Sequence, residues 1–63
     1  MWFIRFIKAC RKYKFTFVLS TYNKLKLTLR PNNTFEKIEI VEEYYCYKKL
    51  FKRAIKKIKE YRA

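Results

Sequence analysis

The stretch 24–30, KLKLTLR, constrains the fold most, because its leucines alternate with basic and polar residues without a break. This period of two places all three leucines on one side of an extended chain. A strand with one apolar face is not stable alone and needs partner strands and a covering layer. The sequence therefore predicts a half-buried β-sheet.

The preceding stretch 14–20, KFTFVLS, alternates in the same way and predicts the first partner strand. The three residues between the two strands form a short loop in which Asn23 can adopt the left-handed conformation usual for glycine. Pairing across this loop predicts that residues 19, 17 and 15 face residues 25, 27 and 29. All six are apolar.

The stretch 35–43, FEKIEIVEE, is open to two interpretations. Asn33 and Glu36 have the spacing of a capping box, which could begin one long helix. A third strand instead brings residues 40 and 38, both isoleucine, opposite residues 25 and 27. It also places Lys26 opposite Glu39, a favourable cross-strand charge pair. Since a slip of one residue would destroy this match, the pattern favours the strand.

Amphipathic helices are predicted at both ends of the chain. Residues 2–13 are apolar at helical spacing, with basic residues on the opposite face. A second helix is predicted from about Glu43 to Tyr61, with Glu42 and Glu43 near its positive end. Its apolar arc includes Tyr44, Tyr47 and Tyr61, which we expect in the core.

The predicted fold class is α+β: a small single domain over residues 1–63 with the order α-β-β-β-α. In this fold, a three-stranded antiparallel meander packs against two amphipathic helices. The alternative is a β-hairpin followed by one long C-terminal helix from about 34 to 62.

The composition argues against an enzyme. The chain has no His and no Gly, so the commonest general base and any glycine-rich phosphate loop are missing. Cys10 and Cys46 lie 36 positions apart and form no metal-ligand cluster. Two buried thiols are the favoured interpretation, and the alternative is a disulfide, for which the sequence offers no secretory context. We expect no catalytic residue, no metal, no cofactor and no small-molecule substrate.

The formal net charge of +12 on 63 residues is the strongest functional signal. Uncompensated charge of this size disfavours the compact state and suggests a polyanionic partner. Residues 1–33 contain eight basic residues and no acid, and the last helix carries further basic residues in adjacent pairs. Two tyrosines outside the apolar faces could stack on unpaired bases. The candidate binding residues are Lys48, Lys49, Lys52, Arg53, Lys56, Lys57, Lys59, Lys24, Lys26, Arg30, Arg5, Lys8, Arg11, Lys12, Tyr22 and Tyr45.

Three binding functions fit this charge. The first is a small basic protein that contacts nucleic acid by neutralising phosphates with its Lys and Arg faces. The alternative is a small viral or phage-type effector that binds an acidic surface of a larger host protein or nucleoprotein complex and modulates or inhibits it. A cationic membrane-surface protein is the least favoured, because the apolar face of the last helix is needed by the sheet, and no stable membrane insertion is expected.

The expected location is cytoplasmic, or the host cytoplasm if the protein is viral, because the N-terminal apolar run is interrupted by charges and is too short for a secretion signal. Open sheet edges and a small core are compatible with a homodimer.

Overall fold

The structure, a computed structural model, describes residues 1–62 and their side chains as far as residue 61. Its helices and strands follow in the order α1 (Trp2–Tyr13), β1 (Phe15–Ser20), β2 (Leu25–Pro31), β3 (Ile38–Glu42) and α2 (Tyr47–Arg62). The predicted order α-β-β-β-α is confirmed. The alternative of one long helix from about 34 is wrong, because residues 38–42 pair with β2 as an antiparallel strand.

A tight turn at Lys14 joins α1 to β1. Lys14 is left-handed, with φ 60° and ψ 59°, and its backbone N–H donates a hydrogen bond to the carbonyl of Cys10. This is the C-terminal position that usually holds glycine, and the chain contains none. The turn reverses the chain within one residue, so α1 and β1 run in opposite directions.

The sheet has the strand order β1-β2-β3, with both neighbouring pairs antiparallel. The predicted register is wrong by two residues in each pair, since Leu19 lies opposite Leu27, and Leu27 lies opposite Ile40. The first loop is longer than expected: Ser20 and Lys26 close it, and Asn23 inside it has φ 64°. A shift of two preserves which side chains share a face, so the predicted apolar face is still correct.

Both helices cover the same face of the sheet and enclose a single core. Phe3 of α1 contacts Phe51 near the start of α2, with ring centroids 5.4 Å apart. At the other end Phe15, just after α1, contacts Tyr61 near the end of α2, at 5.7 Å. The two helices therefore lie side by side and run in the same direction. The buried apolar residues are Phe6, Ala9, Cys10, Phe15, Leu25, Leu27, Leu29, Ile40, Leu50, Phe51, Ala54 and Ile58.

The opposite face of the sheet is open to solvent. Val18 and Val41 project from it, with exposed fractions of 68% and 47%. Strands β1 and β3 are its two edges. β1, with the sequence FTFVLS, carries no charged residue, whereas β3 carries two glutamates.

The start of α2 differs from the prediction. Because β3 continues to Glu42, the chain needs a turn before the helix, and this turn is closed by a 3.0 Å hydrogen bond from the Cys46 N–H to the Glu43 carbonyl. The expected acidic first turn is thus wrong, since α2 begins at Tyr47 with no acid in its first turn. Tyr44 and Tyr47, expected in the core, are 58% and 43% exposed.

Candidate functional site

Helical spacing lines up three basic side chains along α1. Arg5, Lys8 and Lys12 follow one another at intervals of three and four residues, so they lie on one face of the helix. All three are exposed. Lys52 and Lys59 lie seven residues apart on α2, on the side of that helix that faces α1. Two basic rows therefore border the seam between the helices.

An open groove of about 470 Å³ occupies this seam. We call it the interhelical groove. Its cationic lining residues are Arg5, Lys8, Lys12 and Lys59, and its remaining lining residues are Trp2, Ala9, Tyr13 and Ile55. None of these lining residues is acidic. The groove thus offers an apolar floor and a positive rim.

Aromatic rings hold several of these cations in place. The Trp2 ring lies 4.8 Å from the Arg5 guanidinium carbon and 5.3 Å from the Lys52 ammonium nitrogen, each measured to the ring centroid. Similarly, the Lys12 ammonium lies 5.4 Å from the Tyr13 ring centroid. Such contacts are attractive because the ring face is electron-rich. They reduce the side-chain freedom that an anionic ligand would otherwise have to restrict.

The basic residues of the sheet are in a different environment. Lys24 pairs with Glu43 at 3.9 Å and Lys26 with Glu39 at 3.5 Å. The Lys26–Glu39 charge pair predicted from the sequence is confirmed, although it is diagonal, because Val41 lies directly opposite Lys26. Arg30, also on this open face, is exposed. Glutamates in β3 and immediately after it therefore neutralise part of the predicted sheet patch.

Glu39 receives a second lysine. The Lys37 ammonium lies 3.3 Å from the Glu39 carboxylate. The hydrogen bond from Lys37 and the charge of Lys26 lower the pKa of the Glu39 carboxyl. These contacts engage cations that would otherwise be available to an anionic ligand.

Arg53 is also paired within the chain. Its guanidinium donates hydrogen bonds to the carboxylate of Glu42 and, at 3.4 Å, to the carbonyl of Val41. Glu42 points to the helix-covered face of the sheet, where its side chain is 8% exposed, and Lys49 approaches it at 4.0 Å. Arg53 is exposed on α2, but its guanidinium is already engaged by Glu42.

The other predicted residues are spread around α2 and its surroundings. Lys48 and Lys49 lie in the first turn of α2, where Tyr45 borders the same shallow hollow. Lys56 and Lys57 share a different hollow with an acid, Glu60. Arg11, on α1, is exposed but does not line the interhelical groove. Tyr22, at the tip of the first loop, is 85% exposed, and Tyr45 is 81% exposed.

A second cavity, which sequence reasoning missed, lies at the end of the seam where both helices begin. This aromatic pocket of about 320 Å³ is lined by Met1, Trp2, Phe3, Tyr47, Lys48 and Phe51. Phe3 belongs to the apolar face of α1 and Tyr47 was expected in the core, yet these residues are 44% and 43% exposed. Their positions at the helix starts, where less of the fold covers an apolar face, are the one sequence signal that could have found the pocket.

The two thiols differ in environment. Cys10 is buried in the core, and burial raises the pKa of its thiol to about 11. Cys46 is half-buried immediately before α2. Both are free cysteines. Within residues 1–62, no group of three or more His, Cys, Asp or Glu side chains is placed to hold a metal ion.

Neither helix in the part of the chain that the structure describes is long and apolar enough to cross a membrane. Comparison of the chain with protein-family models, with curated proteins and with solved structures finds no match in any of the three. Surface chemistry is therefore the basis on which a function can be proposed.

Proposed function

We propose that the protein is a non-enzymatic, cytoplasmic nucleic-acid-binding module, and that the interhelical groove is its binding surface. The observation that carries the proposal is the separation of charge. Cations with no acid among them line the groove, whereas glutamates engage the cations of the sheet and of the middle of α2.

Phosphate neutralisation is the mechanism that this arrangement supports. Lysine acts as a point charge with little geometric demand, which suits the sugar–phosphate backbone better than base edges. Arg5, Lys8, Lys12, Lys52 and Lys59 would displace condensed counterions when they meet phosphates. If about five phosphates are neutralised on a duplex, the logarithm of the association constant should fall with the logarithm of salt concentration at a slope of about −4 to −5.

A pair of matched triple variants tests this surface. Lys8→Gln, Lys12→Gln and Lys59→Gln together remove three charges from the groove. We expect more than a tenfold loss of affinity for a duplex oligonucleotide at moderate salt and a salt slope reduced by about 3. Fluorescence anisotropy of a labelled oligonucleotide across a salt series measures both quantities.

The control removes the same charge from the sheet side. Lys24→Gln, Lys26→Gln and Lys37→Gln together lower the net charge equally, but these lysines already contact glutamates. We expect affinity and salt slope to change much less than in the groove variant. Equal losses in both variants would show that net charge, rather than the groove, governs binding. Absence of binding by the unmodified protein at low salt would refute the proposed function itself.

A further inference from the structure

We infer that the site prefers single-stranded nucleic acid, with an unpaired base held in the aromatic pocket at the end of the interhelical groove. The inference rests on the proposed function and names the substrate class for the same surface.

The aromatic pocket has the composition of a base-stacking site. Phe51 forms its buried base and contacts both of its neighbours, with ring centroids 5.4 Å from Phe3 and 6.3 Å from Tyr47. Phe3 and Tyr47 come from different helices, and each leaves nearly half of its side chain exposed. Two partly exposed rings therefore border an open, largely apolar volume.

The pocket and the groove form one continuous surface. Trp2 lines both cavities, and the Arg5 and Lys52 cations lie over its ring. Lys48 stands at the edge of the pocket. A strand whose phosphates follow the groove cations therefore passes Trp2 and reaches the aromatic pocket beside it.

Only an unpaired base can use this pocket. In a duplex both faces of each internal base are covered by its stacked neighbours, whereas a single strand exposes them. Stacking of one base on aromatic side chains contributes about 1–3 kcal/mol in proteins that bind single strands, together with a positively charged groove for the backbone. The pocket and the groove supply these two parts next to each other. An acidic peptide would satisfy the cations without using the aromatic pocket. An anionic lipid surface can engage both cations and exposed rings, so lipid vesicles are one arm of the test.

Trp2 provides a local signal for the test, because it is the sole tryptophan of the chain and lines both cavities. The probes are a short single-stranded oligonucleotide, a hairpin duplex of the same sequence and an abasic strand with the same number of phosphates. We expect the base-bearing strand to bind at least tenfold more tightly than either other probe and to quench Trp2 emission more strongly. Equal affinity of the base-bearing and abasic strands would overturn the inference while leaving the proposed function intact.

Aromatic variants locate the effect. Phe3→Leu and Tyr47→Leu keep apolar bulk but remove the rings. Combined, they should lower affinity for the base-bearing strand about tenfold and change duplex affinity less than twofold. Phe35→Leu is the matched control, because Phe35 is fully exposed in the loop between β2 and β3 and lines neither cavity. Circular dichroism establishes that all variants fold.

Two outcomes separate the inference from its rivals. If poly-glutamate or vesicles of anionic lipid quench Trp2 as strongly as the oligonucleotide, and the ring variants lose that binding too, the pocket does not select bases and the inference is wrong. If no nucleic acid binds at all, the proposed function is wrong, and the inference that rests on it is wrong as well.

Discussion

The pairing of Glu42 with Arg53 shows that the basic residues of α2 are not equally available to an anionic partner. Glu42 occupies an inward position of β3 and is nearly buried, so its charge requires a partner. Arg53 supplies that partner from α2. The sequence of α2 alone does not show that Arg53 is engaged while neighbouring lysines are exposed, because the glutamate that engages Arg53 lies in β3.

Arg53→Ala should therefore destabilise the fold, by about 2 kcal/mol in the free energy of unfolding. This value lies between the small contribution of exposed ion pairs and the larger cost of leaving a buried charge wholly unpaired, because Glu42 is nearly buried but Lys49 remains 4.0 Å from it. Urea denaturation followed by circular dichroism measures it.

Lys56→Ala is the control for Arg53→Ala, since it removes one charge from an exposed position of the same helix. We expect it to change stability by less than about 0.5 kcal/mol. Replacing both Glu42 and Arg53 by leucine should recover most of the loss, because no charge is then left buried. If Arg53→Ala is as mild as Lys56→Ala, the pair contributes nothing to folding.

At the scale of elements, a chain without glycine must use other residues wherever the backbone is left-handed. Asn23 and Asn33 do so in the two loops, with φ 64° and 67°. Asparagine tolerates this conformation well, but lysine at position 14 does not. The α1–β1 turn is therefore a strained joint in the fold.

Lys14→Gly should raise the free energy of unfolding by about 0.5–1 kcal/mol. Relief of the left-handed strain outweighs the extra freedom that glycine gives to the unfolded chain. Lys14→Ala removes the same charge without relieving the strain, so it should leave stability nearly unchanged. The denaturant midpoints of the two variants measure this difference in stability. If the glycine variant is no more stable than the alanine variant, the turn is not strained.

Element type was predictable, whereas the pairing register and the start of α2 were not. Periods of two and of 3.6 identified β1, β2 and both helices, because burial of one face imposes them, whereas β3 was favoured over a helix only by its match to the neighbouring strand. The register failed by two residues because alternation determines which face a side chain joins, while loop length determines its partner. Likewise, nothing periodic marks the turn before Tyr47, so α2 was predicted to begin too early.

The whole molecule divides into a side where glutamates neutralise cations and a groove side where cations lie close enough to repel one another. In the described part of the chain, ion pairs join glutamates to cations of β2, of the loops on either side of it and of the first half of α2. Among the described residues that line the groove, four are cations and none is acidic. The sequence predicted the amount of charge and the candidate residues. Which of them gather depended on the parallel arrangement of the helices, which no local pattern reveals.

Neutralising the groove should consequently stabilise the protein even as it weakens binding. We expect the triple variant of Lys8, Lys12 and Lys59 to gain about 0.5 kcal/mol of unfolding free energy at low ionic strength, and this gain should shrink as salt screens the repulsion.

The sheet triple variant of Lys24, Lys26 and Lys37 should show no gain, because it removes attractive pairs. Thermal unfolding over a salt series compares the two triple variants. A gain of equal size in both would contradict the division into two sides.

Because edge strand β1 is uncharged, the high net charge of the protein has a second role, which is to keep copies of the protein apart. The six residues of β1, FTFVLS, have strong β-propensity and carry neither the charge nor the proline that usually prevents unwanted strand pairing. Mutual repulsion between copies, at +12 each, substitutes for those local safeguards. Colloidal stability is therefore a property of the entire surface here, and a bound polyanion, by cancelling that repulsion, would leave the β1 edges of neighbouring molecules free to meet.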